Sequence, residues 1–270
     1  MDDHQFRQLL QHLGLSWSGY RKVRKGVKKR ITRYMLEINC RGIAEYLEAL
    51  DNDKLVREKS KRLLTVSISR FFRDKRLWEL LEKEILPGLI QKHTEKLSVW
   101  SVGCASGEEV YSLKILWDVL TPTNRHLPEL SITATDVNPD YLERAKAGIY
   151  PASSLKELPE EYRSKYFEEL RGDREYRLKD PLKKNITWQV KSLFDDPPET
   201  SFQIIFLRNN LLTYHMKEST IPALLNIIKC LSVDGYLIIG SDEKLPLEDH
   251  SLKPHESLSY ILKNKIELTT

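Results

Sequence analysis

Two adjacent carboxylates, Glu108 and Glu109, directly follow a turn of small residues, Gly103 to Gly107. The apolar run 97–102 precedes this turn and predicts a buried strand, and apolar residues with helical spacing follow it. A strand, a glycine-containing turn and a helix in this order are typical of the place where an open α/β sheet receives a nucleotide-type cofactor, because glycines let the backbone approach the ligand. We therefore interpret residues 97–117 as a cofactor-binding unit.

The two carboxylates indicate which cofactor is bound. A dinucleotide site places a pyrophosphate at the helix N-terminus, where the helix dipole is positive. Glu108 and Glu109 occupy that end and would repel a phosphate, whereas they suit a ligand with ammonium, sulfonium and hydroxyl groups. S-adenosylmethionine (AdoMet) is such a ligand, and the glycine spacing is not G-x-G-x-x-G. We predict AdoMet over NAD or FAD, with a strand-turn-helix unit that binds nothing as the remaining alternative.

A second candidate for ligand binding is Asp136, at the end of a predicted strand over 131–135. An acid at the tip of the strand that follows the glycine turn is placed to accept hydrogen bonds from ribose hydroxyls. Asp136 could instead only cap the helix that begins at Asn138-Pro139. The glycine turn before it favours the ribose.

The elements that position these residues alternate between strand and helix patterns from Lys96 onwards. This alternation predicts an α/β fold with a doubly wound, mostly parallel sheet. Residues 2 to about 90 instead show only helical patterns, so we expect two domains, 1–90 and 91–270. The predicted strands are 98–102, 131–135, 186–191, 202–207, 235–240 and 258–263, and the predicted helices of the second domain include 108–120, 139–147 and 217–231.

Composition narrows the class of protein. Of the 270 residues, 30% are charged and 40% hydrophobic, which is typical of a soluble globular protein. No apolar run approaches the roughly 20 residues needed to span a bilayer, and the acidic start of the chain does not resemble a signal peptide. Cys40, Cys104 and Cys230 are scattered and odd in number. We expect a reduced, cytoplasmic protein without a metal site and without membrane insertion.

One predicted helix, Tyr20 to Asn39, is strongly basic, and no acid lies between Asp3 and Glu37. Like charges at helical spacing destabilise a helix unless a partner supplies the counter-charge. A solvated helix remains possible, and nucleic acid is disfavoured because the helix has few stacking aromatics and no recognised reader motif. The basic residues of this helix are Arg21, Lys22, Arg24, Lys25, Lys28, Lys29, Arg30 and Arg33.

Several motifs together resemble the chemoreceptor glutamate methyltransferase family, CheR. They are GCASGEEVYSL, ATDVNPDYLERAKAGIYP, SISRFFRD (67–74), FLRNN (206–210) and DGYLIIGSDE (234–243), in the family's order and spacing. The resemblance covers nearly the whole chain. It implies an AdoMet-dependent protein-glutamate O-methyltransferase of the methyltransferase fold, with an antiparallel last strand and a small β-subdomain inserted at about 170–187.

The resemblance also implies a substrate and a surface that docks it. The expected partner is the acidic helical region of a methyl-accepting receptor, with the enzyme as a monomer. Family members that grip the receptor's C-terminal tail carry a longer, glycine-rich loop near 171–173, and this chain has the short version. The basic helix would dock the receptor through Arg21, Arg24, Lys25, Lys28 and Lys29.

The resemblance assigns the site residue by residue. The expected catalytic residues are Arg73 and either Tyr214 or Thr213, because the family's active-site tyrosine falls on Thr213 and Tyr214 follows one place later. Serine stands at 67 and 192 where the family has asparagine, and Ser241-Asp242 replace a His-Ser pair before the retained Glu243. The expected cofactor-binding residues are Ser67, Ser69, Arg73, Gly103, Glu109, Asp136, Ser192, Leu193, Arg208 and Asn209.

Two other functions remain open at this point. The departures at Ser67, Ser192 and Thr213 suit a regulatory module that binds AdoMet or S-adenosylhomocysteine with weak or no methyl transfer. A nicotinamide oxidoreductase is disfavoured by Glu108 and Glu109.

Overall fold

The N-terminal third of the chain is helical in the computed structural model, which describes residues 1–66, 69–121, 127–170, 172 and 174–265. The apolar faces of its first five helices meet in a core of their own, built around Phe6, Leu10, Ile31 and Tyr46. The helices are α1 (Asp3–His12), α2 (Trp17–Tyr20), α3 (Arg24–Glu37), α4 (Ile43–Asn52), α5 (Lys54–Leu64), α6 (Lys75–Leu80) and α7 (Leu86–Lys92), with a π-helical turn over Leu81–Ile85.

The basic helix differs from the prediction. The expected single helix from Tyr20 to Asn39 is broken at 21–23, so that α3 begins at Arg24. The break lets the Tyr20 ring turn inwards, where it packs edge-on against Phe6 with ring centroids 5.8 Å apart. Burial of this aromatic side chain outweighs the continuous helical pattern of the sequence.

Seven strands form the main sheet among the described residues, in the order β6-β2-β1-β7-β8-β10-β9. Three further strands form a separate small sheet. The ten strands are β1 (Lys96–Val102), β2 (Glu129–Asp136), β3 (Ile149–Pro151), β4 (Phe167–Glu169), β5 (Glu175–Leu178), β6 (Ile186–Val190), β7 (Phe202–Leu207), β8 (Leu231–Ile239), β9 (Leu252–Pro254) and β10 (Ile261–Asn264).

Strand pairing in the main sheet confirms the predicted fold class. β1 pairs in parallel with β2 and β7, and the outer strands β6 and β8 continue the parallel pairing. β10 is antiparallel to β8, as expected for the last strand. The chain order reverses at β1, so the carboxyl ends of β1, β2 and β7 form the crevice where ligands bind in open α/β sheets.

Helices cover both faces of this sheet, because the central strands are apolar on both sides. Leu97 and Val99 of β1 pack into one core, and Trp100 and Val102 into the other. The covering helices are α8 (Glu108–Leu120), α9 (Pro139–Ala147), α10 (Glu160–Tyr166), α11 (Leu211–Tyr214) and α12 (Lys217–Lys229). No helix in the described part of the chain is long and apolar enough to cross a bilayer.

The small antiparallel sheet has the order β3-β5-β4. It starts at Ile149 and ends at Leu178, earlier in the chain than the range of about 170–187 expected from sequence. Helix α10 ends at Tyr166, where the chain enters β4. Of the short loop at 171–173, only Gly172 lies within the described residues.

Candidate active site

A cavity of about 1340 Å³ lies between the N-terminal helices and the carboxyl ends of β1, β2 and β7. It brings together every predicted catalytic or cofactor-binding residue that the structure describes. Ser67 lies outside the described residues. The residues brought together are Ser69, Arg73, Gly103, Glu109, Asp136, Ser192, Leu193, Arg208, Asn209, Thr213 and Tyr214.

The glycine turn is fixed by conformations that only some residues tolerate. Gly103 and Gly107 have φ values of 71° and 84°, in the left-handed region. A side chain at Gly107 would meet Ala145 and Trp188 at 2.9 Å, so this glycine also permits the close packing of α8 against its neighbours. The amide of Gly103 donates to the carbonyl of Thr135 at 2.8 Å, which ties the turn to the end of β2.

Asp136 is buried beneath this turn, with 8% of its surface exposed. Its Oδ2 accepts a hydrogen bond from the amide of Ala105 and its Oδ1 one from Asn138, both at 2.9 Å. Burial raises the pKa of Asp136, and the backbone hydrogen bonds oppose this effect. Asn138 is the residue that caps α9, so the interpretation of Asp136 as that helix's cap is wrong.

The two adjacent glutamates have different environments. Glu109 lines the cavity, and its Oε2 accepts a hydrogen bond from the Arg208 guanidinium at 3.0 Å. Glu108 is 5% exposed and lies beside Ser154 and Ser69. Ser69 belongs to the linker that joins α5 to α6, residues 65–74. Burial raises the pKa of Glu108, against hydrogen bonds that favour the charged form. Of these two carboxylates, only Glu109 lines the cavity.

Arg73 projects from a linker whose backbone is tightly held. Its neighbours Phe72 and Asp74 have φ values of 52° and 73°, which are costly for residues other than glycine. The Arg73 carbonyl accepts hydrogen bonds from the Trp78 indole at 3.0 Å and the Arg208 guanidinium at 3.1 Å. These contacts fix where the Arg73 side chain leaves the backbone.

Glu243 joins the loops that follow β7 and β8. Its Oε2 accepts hydrogen bonds from the amides of Asn209 at 2.9 Å and Gly240 at 2.6 Å. Its Oε1 accepts one from the Thr213 hydroxyl at 2.5 Å. Sequence reasoning noted Glu243 but gave it no role, because these partners become neighbours only in the folded sheet.

Tyr214 also lines the cavity, although its ring packs away from the sheet. It contacts Tyr20 edge-on, with ring centroids 5.0 Å apart. Burial raises the pKa of the Tyr214 hydroxyl, and the positive charge of Arg73 opposes this effect. Thr213 and Tyr214 thus both border the cavity, with the threonine hydroxyl bound to Glu243 and the tyrosine ring against the N-terminal helices.

Two cavity residues that the sequence did not single out, Phe194 and His215, lie beside the predicted Ser192 and Leu193. Ser192 and Leu193 line the cavity, as does Phe194, whose side chain is 47% exposed. The Phe194 ring stands edge-on to His215 at 4.9 Å. Burial lowers the pKa of His215 to about 4. No sequence signal marks either residue, because they are far apart in the chain.

The predicted docking residues divide into two groups. Arg24 and Lys28 pair with Asp3 of α1 at 3.2 and 2.6 Å. The sequence pattern did not reveal this counter-charge, because Asp3 comes from another helix. Arg21, Lys25 and Lys29 are exposed. Of the five, only Arg21 and Arg24 line the cavity.

Comparison with known proteins decides the family. The model of the "CheR methyltransferase, SAM binding domain" matches residues 67–261. The chain belongs to the CheR methyltransferase family. The "Chemotaxis protein methyltransferase" of Listeria innocua is 32% identical over 256 residues, which cover 94% of each chain. "Chemotaxis protein methyltransferase 1" of Pseudomonas aeruginosa is 29% identical over 231 residues, which cover 83% of this chain and 84% of that one.

This CheR-family chain is an AdoMet-dependent methyltransferase, and the cavity fits its cofactor. Glu109 and Asp136 offer acceptors for the ammonium and hydroxyl groups of AdoMet. Arg208 lines the same cavity and offers a cation for the cofactor's carboxylate.

Proposed function

We propose that this CheR-family protein is a cytoplasmic protein-glutamate O-methyltransferase that acts on chemoreceptor-type, methyl-accepting proteins. The relatives named as chemotaxis methyltransferases support the pathway. The observation that carries the glutamate proposal is the charge of the cavity wall. In the described part of the N-terminal region and linker, all charged residues that line the cavity are basic: Arg21, Lys22, Arg24, Arg57, Lys61, Arg70 and Arg73.

A basic wall beside an AdoMet site suits a carboxylate acceptor. A glutamate with a pKa near about 4.3 is already ionised at pH 7, so the reaction needs no general base. The methyl group leaves a sulfonium, which is an activated leaving group. What the protein must supply is the alignment of oxygen, methyl carbon and sulfur, and the removal of water from the carboxylate.

Arg73 is the residue we assign to the incoming carboxylate. Its guanidinium lies close to the Asn209 side chain, with Nη2 3.5 Å from Oδ1, at the junction of the linker and the sheet. A planar guanidinium holds a carboxylate in a defined orientation, which a lysine ammonium does not. The rigid backbone on either side of Arg73 limits the conformational entropy lost when the substrate binds.

We assign the cofactor to the part of the cavity formed by the glycine turn and the carboxyl ends of β1, β2 and β7. Glu109 would accept from its ammonium, Asp136 from the ribose hydroxyls, and Arg208 would face its carboxylate. The loop with Ser192 and Leu193 would contact the base. This arrangement uses every charged group of the turn and strand ends that reaches the cavity from β1, β2 and β7.

The exposed basic residues Arg21, Lys25 and Lys29 of the N-terminal helical region are proposed to dock the receptor. Reversal of Arg21, Lys25 and Lys29 to glutamate should raise the KM for a receptor fragment and leave the affinity for S-adenosylhomocysteine unchanged. Added salt should raise the KM of the unaltered protein, because charges at the surface are screened beyond about 8 Å at physiological ionic strength.

The matched control reverses exposed lysines that lie away from the cavity, Lys83, Lys156 and Lys184. This triple variant changes the net charge equally and should keep the original KM. Equal losses in both triple variants would mean that net charge alone governs the encounter.

Methyl transfer itself is tested with labelled AdoMet and a glutamate-rich receptor fragment. We expect base-labile label on the fragment, because carboxyl methyl esters hydrolyse in mild base. A fragment with glutamine in place of its glutamates should take up no label. Equal label on both fragments would exclude glutamate as the acceptor.

One observation favours a second candidate, a regulatory module that binds AdoMet or S-adenosylhomocysteine without turnover. The Thr213 hydroxyl is bound to Glu243, and the Tyr214 ring packs against Tyr20. If neither side chain acts in transfer, the protein would bind cofactor and modify no receptor. Calorimetric binding of S-adenosylhomocysteine together with unlabelled receptor fragments would support this candidate.

A further inference from the structure

The segment between α1 and α2 lies along the outer side of α11 and pairs with it. The Ser16 amide donates to the Tyr214 carbonyl at 2.8 Å, and the Met216 amide donates to the Gly14 carbonyl at 3.0 Å. These hydrogen bonds run in opposite directions between the two segments, as in a minimal antiparallel ladder. The end of α11 is thereby attached to the N-terminal helical region through the backbone.

Gly19 brings α2 into direct contact with the same turn. A β-carbon at this position would lie within 3.0 Å of the Thr213 carbonyl oxygen and at 3.0 Å from the Tyr214 ring. The neighbouring atom is backbone, which cannot rotate away as a flexible side chain could. The absence of a side chain at Gly19 therefore sets how closely the N-terminal helices approach α11.

Tyr20 connects this contact to the linker. Its ring packs on Tyr214, and its hydroxyl donates to the Leu64 carbonyl at 3.1 Å. Leu64 is the last residue of α5, and the chain after it leads to Arg73. One buried side chain thus contacts both of the chain segments that carry the proposed catalytic residues.

From the inner side, Glu243 holds Thr213. α11 has only four residues, and a single helical turn is not stable without tertiary contacts. Its position must therefore be determined by what packs on its two sides. The inner contact comes from the sheet, and the outer one from Gly14–Tyr20.

We propose that the segment Gly14–Tyr20 is a positioning element of the methyl-transfer site. By this inference the N-terminal helical region has a role beyond docking: it holds Thr213 and Tyr214 in place relative to Arg73 and the cofactor. The inference rests on the proposed function for its activity measurement, and a structural measurement tests it separately.

The first test is Gly19→Ala, which forces α2 and α11 apart. Displacement of reacting groups by about 1 Å can lower a rate 100-fold, so we expect kcat for the receptor fragment to fall about 10- to 100-fold. The affinity for S-adenosylhomocysteine should change less than about threefold, because the glycine turn lies outside this contact. The KM for the fragment should change less than kcat, because two of the three exposed docking bases, Lys25 and Lys29, lie on α3.

The matched control is Gly88→Ala. Gly88 is an exposed glycine of α7, and a β-carbon there meets no atom within 4 Å. Alanine is the better helix former, so this variant should be at least as stable as the unaltered protein and equally active. A loss of kcat in Gly88→Ala would show that the assay reports on general effects of the substitution.

Substitutions at Tyr20 separate positioning from stability. Tyr20→Phe keeps the ring on Tyr214 and loses only the hydrogen bond to Leu64, so it should unfold more easily and lose less kcat than Tyr20→Leu. Tyr20→Leu removes the ring and should lower kcat even at temperatures where it is fully folded. Equal kcat in the two variants would overturn the proposal.

Hydrogen exchange supplies the measurement that needs no methyl transfer. The Met216 and Ser16 amides should exchange faster in Gly19→Ala than in Gly88→Ala, whereas the amides of β1 should be unchanged. Unaltered exchange at Met216, or a Gly19→Ala variant with full kcat, would refute the proposal. If the unaltered protein labels no receptor fragment, the proposed function fails, and exchange at Met216 still decides whether Gly14–Tyr20 holds α11.

Discussion

The ion pair between Glu109 and Arg208 gives the sharpest test of how the site is held together. Its charged atoms are 3.0 Å apart, and the side chains are only 16% and 6% exposed. With an effective dielectric constant near 20, two unit charges at this distance attract by about 5.5 kcal/mol. Desolvation of the two charges offsets much of this attraction, so the intact pair adds little to the free energy of unfolding. Loss of one partner, however, leaves the other charge buried and uncompensated.

The expected costs of single substitutions follow from what each leaves behind. Arg208→Met leaves Glu109 buried without a cation and should lower the free energy of unfolding by about 3–5 kcal/mol. Glu109→Gln should cost less, about 2–3 kcal/mol, because Asp74 remains 3.9 Å from Arg208 and the amide can still accept from Ser101. The double variant should be more stable than the sum predicts, with a coupling energy of about 2 kcal/mol.

Urea unfolding at pH 7, with and without S-adenosylhomocysteine, measures this cycle. The matched control is the exposed pair Glu143 and Lys146 on α9, at 2.8 Å, whose coupling should stay below about 0.5 kcal/mol. If the losses of stability in the two single variants add up to the loss in the double variant within about 0.5 kcal/mol, the two charges act independently. All the Arg208 and Glu109 variants should also gain less stability from the ligand than the unaltered protein does.

Four further outcomes follow from the site. Asp136→Ala should weaken binding of S-adenosylhomocysteine by about 1–3 kcal/mol in calorimetry, and an unchanged affinity would show that Asp136 only supports the turn. Burial lowers the pKa of His215 from 6.5 to about 4, so between these pH values the unfolded chain binds a proton that the folded chain does not. The contribution of His215 to the free energy of unfolding should therefore be fully present above pH 6.5 and be lost as the pH falls towards 4. The His215→Phe variant should show a flatter dependence of stability on pH in this range. Arg73→Lys should lower kcat more than cofactor affinity, and a loss of affinity alone would assign Arg73 to the cofactor. If Thr213→Tyr shows no gain in activity and Tyr214→Phe is inactive, Tyr214 is the residue that acts in transfer.

The sheet could be predicted from the sequence because each of its central strands is apolar on both faces. Short apolar runs between helical patterns located β1, β2, β7 and α8 to within two residues. β9 was not predicted, since its three residues include a proline and have no apolar pattern. The break before α3 was missed because it depends on where Tyr20 packs, which local periodicity does not contain.

The site could be predicted where its chemistry is local in sequence. Glu109, Asp136 and the glycine turn belong to one strand-turn-helix-strand unit, and their spacing carries the information. Glu243 and Gly19 contact residues that are far away in the chain, so the local sequence around them does not indicate their roles. The same limit explains Glu108, which has the same type of side chain as Glu109 but points beneath the linker.

The Asn210 side chain fills the space that a side chain at position 103 would need, which limits the residues that the family can carry at these two positions. A β-carbon on Gly103 would come within 3.0 Å of the Asn210 amide nitrogen. The side-chain amide nitrogen of Asn210 donates to the Val102 carbonyl, and the side-chain Oδ1 of Asn210 accepts from the Leu211 amide at the start of α11. The two positions should therefore covary: a relative with alanine in place of Gly103 should carry a residue shorter than asparagine at 210, and must then start α11 with a different cap.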